Sequence, residues 1–414
     1  MRHVGANDDR GERMQGGTSI GPLKGLRILE LGHFVAAPFA TRLLADLGAE
    51  VVKIEPPAGD PVRGWGEQID GKSLWWSMHG RNKRSVVLDL KSDEGRECVL
   101  KLVRGCDAVV ENFRPGQLER LGIGPDALRR ERPGLIVAHI SGYGQDGPYR
   151  NRAAFGVIGE AMGGLRYLTN HEPGKSDLPP VRVGVSIGDS IAGLYAAFGV
   201  VAALWQRDRD GGDGRGRTVD VALTEAVLSM MEGMLPEFGW LGKIREPSGA
   251  GISTAAPSSA YPTSDGWVLV AANSNPLFAK LMKVIGRPDL GSDPRFADNQ
   301  SRCANRGVLD EAIGAWTAQF GAAEVEILLN NADIPTSKAF TTADCAKDEQ
   351  FLHRGMVRTV QDPLFGDVLH AGIVPHFPDD PGQVRWAGPA LGAHTDEILS
   401  SIDKGSNATE AQLG

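Results

Sequence analysis

The stretch LRILELGHFVAAPFATRLLADLGAEVVKIE, from Leu26 to Glu55, decides the fold. Its first six residues form a short apolar run that reads as a buried strand. GHFVA follows as a loop, and Pro38 suits the first turn of a helix, where its missing N–H would have no partner anyway. FATRLLADL continues that helix, and Gly48 suits its C-cap because glycine tolerates the left-handed conformation needed there. AEVVKIE reads as a second strand, stopped by Pro56 and Pro57. Strand, helix and strand within about 30 residues predict a parallel βαβ unit.

Further units extend the pattern outward. RSVVLDL, CDAVVENF, GLIVAHISGYG and TVDVAL read as strands. SDEGRECVLKLVRG reads as a helix opened by Ser92, and IAGLYAAFGVVAALWQRDR as a long apolar helix opened by Asp189. TEAVLSMMEGML reads as one more helix. Alternating strands and helices predict a doubly wound α/β domain, placed over residues 21–235. Residues 1–20 mix charges and glycines without an apolar core, which predicts a flexible tail rather than a signal peptide. The Gly/Ser/Ala/Pro texture of GKIREPSGAGISTAAPSS predicts a linker over 236–256. A smaller domain, opening on the strand DGWVLVAA, is expected over 257–340. Residues 341–414 read as mixed loop and strand with a helical end at ALGAHTDEILSSI.

Composition narrows the function. The 414 residues carry a net charge of −8 and 41% apolar residues, which suits a large core and does not favour nucleic acid as a partner. Cys98, Cys106, Cys303 and Cys345 form no C-x-x-C pair, so neither a disulfide framework nor a zinc site is expected and a reducing, cytoplasmic setting is. The longest uncharged apolar run, Ile191 to Trp205, spans 15 residues, short of the ~20 that a membrane span needs.

The first βαβ unit invites a dinucleotide, with Glu55 where an acid would hold a ribose. That fold grips pyrophosphate with G-x-G-x-x-G after the first strand. Here LGHFVAAP has one glycine followed by His33 and Phe34, so no such cradle forms. No phosphate-binding G-x-x-x-x-G-K-[ST] occurs, and GVSIG misses the hydrolase G-x-S-x-G by one position. Arg81, Lys83, Arg84, Arg114 and Arg120 cluster near strand ends instead. Ligands of open α/β sheets bind beyond the carboxyl ends of the strands, so these cations point to an anionic ligand.

Asp189 is the one acid in RVGVSIGDSIAGLYAAFGVVAALW, Arg182 to Trp205. A helix N-cap explains it locally, since an aspartate accepts N–H groups of the first turn. Five ordered segments give it a second role: LGHFVAAPFATRLLADLGAEVVKIEPPAGDPVR, NKRSVVLDLK, ENFRPGQLERLG, SGYGQDGP and GVSIGDSIAG. Together they resemble the class III CoA-transferases, the group of formyl-CoA transferase and carnitine CoA-transferase, with alpha-methylacyl-CoA racemase as a sister branch. The likeness runs from about Leu23 to HTDEIL.

The resemblance implies a Rossmann-like large domain completed by both chain ends, with 341–414 as the returning segment. It implies a small inserted α+β domain, and two chains threaded as an interlocked homodimer. Asp189 matches the family nucleophile. Asn112, Phe113 and Arg120 then lie along the CoA, with Lys83, Arg84 and Arg114 facing its phosphates. His33, Phe34 and Val35 form the loop near the reacting acid, joined by Phe155 and Gly156. CoA thioesters enter as substrates, and neither a permanently bound cofactor nor a metal is implied. Formyl-CoA transferase has glutamine at the position of Val35 and Tyr-Glu at that of Phe155–Gly156, which points to an acceptor other than oxalate, such as another small dicarboxylate. Its poly-glycine loop has only GAGIS, 249–253, as a candidate counterpart. An acyl-CoA racemase is the nearest alternative, but its proton-carrying histidine falls at Phe155, which cannot carry a proton. A CoA-binding protein without catalysis is the other, and Asp189 argues against it.

Overall fold

Strand β1 (Arg27–Glu30) forms because Ile28 and Leu29, wholly buried, have a sheet face each to fill. Helix α1 (Ala36–Asp46) follows, and Gly48, at φ +107°, turns the chain into β2 (Glu50–Glu55). The pattern repeats through β3 (Lys83–Val87), α2 (Asp93–Val103) and β4 (Ala108–Glu111). Ser92 opens α2 as expected, its hydroxyl oxygen accepting the Gly95 N–H at 3.0 Å. Strands β5 (Ile136–Ser141) and β6 (Thr218–Ala222) complete the sheet, with α3 (Gly156–Met162) and α4 (Ile187–Asp208) between them. This computed structural model describes residues 20–401, so the tail expected over 1–20 lies, apart from Ile20, outside the described residues.

All six strands run parallel in the order β3-β2-β1-β4-β5-β6. The order reverses between β1 and β4, and a doubly wound sheet of this kind has its ligand crevice there, outside the carboxyl ends. Two apolar layers cover the sheet. On one face α1 and α4 pack against Ile28, Val51, Val110 and Ile140. On the other, α2 covers Leu29, Val52, Val86 and Val109.

Helix α4 begins three residues earlier than an N-cap at its lone acid would place it. Ser186 precedes the first helical residue and Asp189 is the third, so Asp189 is inside the first turn rather than the N-cap. Gly188 permits the extra residues, since a Cβ there would stand 2.6 Å from the Gly156 carbonyl oxygen. Gly193 likewise lets α4 close onto α1, where a Cβ would stand 2.6 Å from Ala36 O. Ala192, Ala196, Val200 and Leu204 are buried on that side. The opposite side exposes Leu194, Phe198, Val201 and Trp205, with Phe198 and Trp205 each 69% exposed. By length and composition alone the 22-residue helix could cross a membrane, but one face belongs to the core of the sheet domain.

The chain divides into two units, the larger comprising residues up to 165, 183–232 and from 349 onward. The returning segment borders β3: Trp386 Nε1 donates to Lys83 O at 3.0 Å, His394 N to Ser85 O at 3.0 Å, and Val87 N to Thr395 Oγ1 at 3.0 Å. These bonds occupy an edge that would otherwise expose unpaired backbone groups. Residues 395–401 are helical, as the apolar spacing of their sequence suggests.

The second unit is 166–182 with 233–348. It has an antiparallel sheet of β7 (Ser258–Thr263), β8 (Gly266–Ala271) and β9 (Thr336–Lys338), with β8 in the middle. Helices bury Tyr261, Val268, Phe278, Leu281, Leu309 and Val325 against that sheet. Its limits differ from those read in the sequence. The expected linker, 236–256, shares a helix, Met234–Leu241, and belongs to this unit, which runs to Asp348. The single helix expected in TEAVLSMMEGML is two, because Glu232 takes a left-handed φ of +47° between them.

Candidate active site

The loops after β1 and β4 meet at the switch point. Asn112 joins them with both ends of its amide: Oδ1 accepts the His33 N–H and Nδ2 donates to the His33 carbonyl, each at 2.8 Å. Phe113 stands edge-on to the His33 ring, centroids 5.2 Å apart. Phe34 is left-handed, φ +62°, and its N–H donates to Asp60 Oδ1 at 3.0 Å. Its ring meets Trp65 at 5.1 Å and Phe155 at 5.9 Å, and Trp65 meets Trp75 at 6.2 Å. Phe155 is 64% exposed, so this aromatic row lines open space rather than core. Val35, expected in the substrate pocket, is buried and immediately precedes α1.

Asp189 reaches the same place through Gly156. A Cβ at Gly156 would overlap Asp189 Oδ2 and stand 2.6 Å from Cγ and 3.0 Å from its backbone nitrogen. The glycine therefore opens α3 where the half-buried carboxylate needs room. The first turn of α4 also places the acid at a positive helix end. Gly156 and Phe155 are thus found beside Asp189 and Phe34, an arrangement the separate segments of sequence could not display.

Buried charge supports the floor of the crevice. Lys53 donates to Glu30 Oε1 (2.6 Å) and Gly32 O (2.9 Å) and forms an ion pair with Asp60 Oδ2 at 2.7 Å. Burial pushes the Glu30 and Asp60 carboxyls up, but the lysines outweigh it and hold both below the usual carboxylate range. Burial, then the Lys53 charge, lowers the His33 imidazole, which keeps it neutral near pH 7. Burial raises the Glu111 carboxyl despite its contact with His139 Nδ1, and Glu111 also accepts the Phe113 N–H.

Three of the cations read from RNKRS are not at the crevice. Lys83 is wholly buried between Glu30 Oε2, 2.8 Å, and Pro38 O, 2.7 Å, and burial brings its ammonium down to about 8. No phosphate reaches it. Arg81 is buried on Asp46 at 2.6 Å. Arg84, the second residue of β3, pairs with Glu397 at 2.8 Å and with Glu50, the first residue of β2, at 3.7 Å. That is the amino edge of the sheet, opposite the crevice. Arg114 and Arg120 remain: both follow β4, both are exposed, and neither makes an ion pair among the described residues. Lys91, overlooked in the sequence, is an exposed cation just beyond the carboxyl end of β3. Its place after LDL is the signal that could have found it. Among the described residues no cluster of His, Cys, Asp and Glu is arranged to hold a metal ion.

A parallel sheet with a half-buried carboxylate, an aromatic row and free arginines at its switch point defines an α/β enzyme for an anionic ligand. The chain belongs to CoA-transferase family III, whose model matches residues 23–395, and it is therefore a transferase. It is 44% identical over 384 residues to succinyl-CoA–D-citramalate CoA-transferase of Chloroflexus aurantiacus, covering 92% of this chain and 94% of that one. Identity to formyl-CoA:oxalate CoA-transferase of Streptomyces avermitilis is 35% over 393 residues, 91% of this chain and 94% of that one. The crystal structure of a CAIB/BAIF family protein from Brucella suis superposes with a TM-score of 0.80 at 31% identity, covering 92% of this chain and 100% of that one.

Proposed function

We propose that the enzyme moves coenzyme A from succinyl-CoA, or a similar acyl-CoA, to a small dicarboxylic acceptor, with Asp189 as the nucleophile. The observation that carries this reading is the Asp189 carboxylate seated on Gly156 beside the aromatic row. An Asp189 oxygen attacks the thioester carbonyl, the C–S bond breaks and CoA thiolate leaves, giving a mixed anhydride. The thiolate then attacks the aspartyl carbonyl, releasing the donor acid and leaving an aspartyl–CoA thioester. The acceptor carboxylate repeats the exchange, and the thiolate leaves on the acceptor's acyl group as Asp189 is restored. Each step trades one activated acyl bond for another, which is the benefit of covalent catalysis. An anhydride must be kept from water, and Phe34, Phe155 and Trp65 suit that task. Arg114, Arg120 and Lys91 are the cations suited to the CoA phosphates.

The test is mass spectrometry of the protein mixed with succinyl-CoA, followed by a panel of acids including citramalate, malate, glutarate and oxalate. Mass added at Asp189 and CoA passed to a diacid are expected. Adduct at another residue, or transfer to no acid, would overturn the reading.

The working form we propose is a homodimer in the cytoplasm. The exposed row Leu194, Phe198, Val201 and Trp205 along α4 supports it, as an apolar surface of that length is costly in water. Native mass at nanomolar concentration should remain that of two chains, and Phe198→Asp should prevent assembly. A wild-type monomer that retains activity would refute the dimer.

A further inference from the structure

We propose that Asn112 and Asp60 are positioning residues of the transfer reaction: from the segments after β4 and β2 they clamp the backbone of His33 and Phe34 and thereby hold the aromatic row beside Asp189. The inference rests on the transferase reading, and it departs from the expectation that Asn112 lies along the CoA.

A loop that turns a bulky aromatic through φ +62° occupies a sparsely populated conformation and persists only where its surroundings impose it. Here four backbone groups in three consecutive residues are each met by a side chain. Lys53 donates to Gly32 O, Asn112 takes both the N–H and the carbonyl of His33, and Asp60 accepts the Phe34 N–H. None of these side chains is loosely held. Asp60 Oδ1 also accepts Val62 N–H at 2.9 Å while Oδ2 faces Lys53, and Lys53 is itself paired with Glu30. Interlocked bonds of this kind, largely withdrawn from water, restrain the backbone they hold. With its amide occupied at both ends, Asn112 would have to release His33 before it could bind a ligand through that group. Motion of the loop reaches the reacting centre in two contacts, since Phe34 touches Phe155 and the next residue, Gly156, touches Asp189.

The test compares Asn112→Ala with Arg120→Ala in two independent measurements. In hydrogen exchange of the full-length protein, the peptide covering 31–36 should exchange roughly 10-fold faster in Asn112→Ala, with β5 unchanged. In steady-state transfer, Asn112→Ala should lower kcat roughly 100-fold, as a displacement of about 1 Å does, and leave the acyl-CoA KM near wild type. Arg120→Ala should do the reverse, raising the acyl-CoA KM with kcat retained and exchange of 31–36 unaltered. Asn112→Asp keeps the acceptor for His33 N–H and loses the donor to its carbonyl, so it should fall between wild type and Asn112→Ala. Asp60→Asn should protect the Phe34 amide better than Asp60→Ala does. A raised acyl-CoA KM at unchanged kcat in Asn112→Ala would overturn the clamp, and so would unchanged exchange of 31–36. Faster exchange in Asn112→Ala, with no CoA transfer by the wild-type protein, would leave the clamp standing and defeat the transferase reading.

Discussion

Asp189→Ala should abolish CoA transfer while the protein folds as before. The two effects differ enough in size to be separated. Removing a covalent nucleophile is expected to cost roughly 10⁴-fold or more in kcat, equivalent to over about 5 kcal/mol of barrier. The stability at risk is smaller. Asp189 is in the first turn of α4 rather than at its N-cap, and a half-buried charge at the positive helix end is worth up to about 2 kcal/mol. Asp189→Asn keeps the volume beside Gly156 and should lose activity nearly as fully, because an amide is a poor nucleophile. Transfer kinetics and a thermal melt, run on all three proteins, read the separation directly. Near-normal turnover by a well-folded Asp189→Ala would remove Asp189 from the chemistry.

The βαβ units were legible because their signals are local: an apolar run, a helix repeat, and a glycine or proline at each boundary. Strand order was not, because it depends on which strands pair across long separations, as β1 and β4 do. The cations show where local reading went astray. In a parallel sheet, residues before a strand and residues after it occupy opposite edges. RNKRS leads into β3, with Arg84 second in the strand, while Lys91 follows it, so direction alone assigns Lys91 to the crevice edge and Arg84 to the other. The burial of Lys83 was less accessible, since its partner Glu30 comes from another strand. Asn112 was found as a site residue, but its task was hidden in a bond to a residue 79 positions away. Asp60 gave no sign at all, because its charge looked like any acid in a turn after Pro56 and Pro57.

Gly156→Ala should be the most damaging single-methyl change in the sheet domain. Helix propensity points the other way, as alanine inside a helix is favoured over glycine by about 1 kcal/mol. Space decides against it. The new Cβ would overlap Asp189 Oδ2, 2.6 Å from Cγ and 3.0 Å from the backbone nitrogen, so turning the carboxylate aside does not by itself relieve the backbone contact. Overpacking of this kind costs about 1–3 kcal/mol, which outweighs the gain in propensity and leaves a modest net loss of stability. The kinetic loss is the larger consequence. A nucleophile displaced by about 1 Å loses roughly 100-fold in rate, and in the proposed reaction the displaced group is the one that attacks the thioester carbonyl. The acyl-CoA KM should change little, because Arg114 and Arg120 follow β4 and belong to neither α3 nor α4. Gly159→Ala is a suitable control on the same helix: its Cβ would stand 2.9 Å from Leu223 Cβ and Leu223 O rather than against Asp189. It should lower the melting temperature and spare kcat. If Gly156→Ala retains wild-type kcat, or Gly159→Ala matches its kinetic loss, the seating of Asp189 on Gly156 is not what orients the nucleophile.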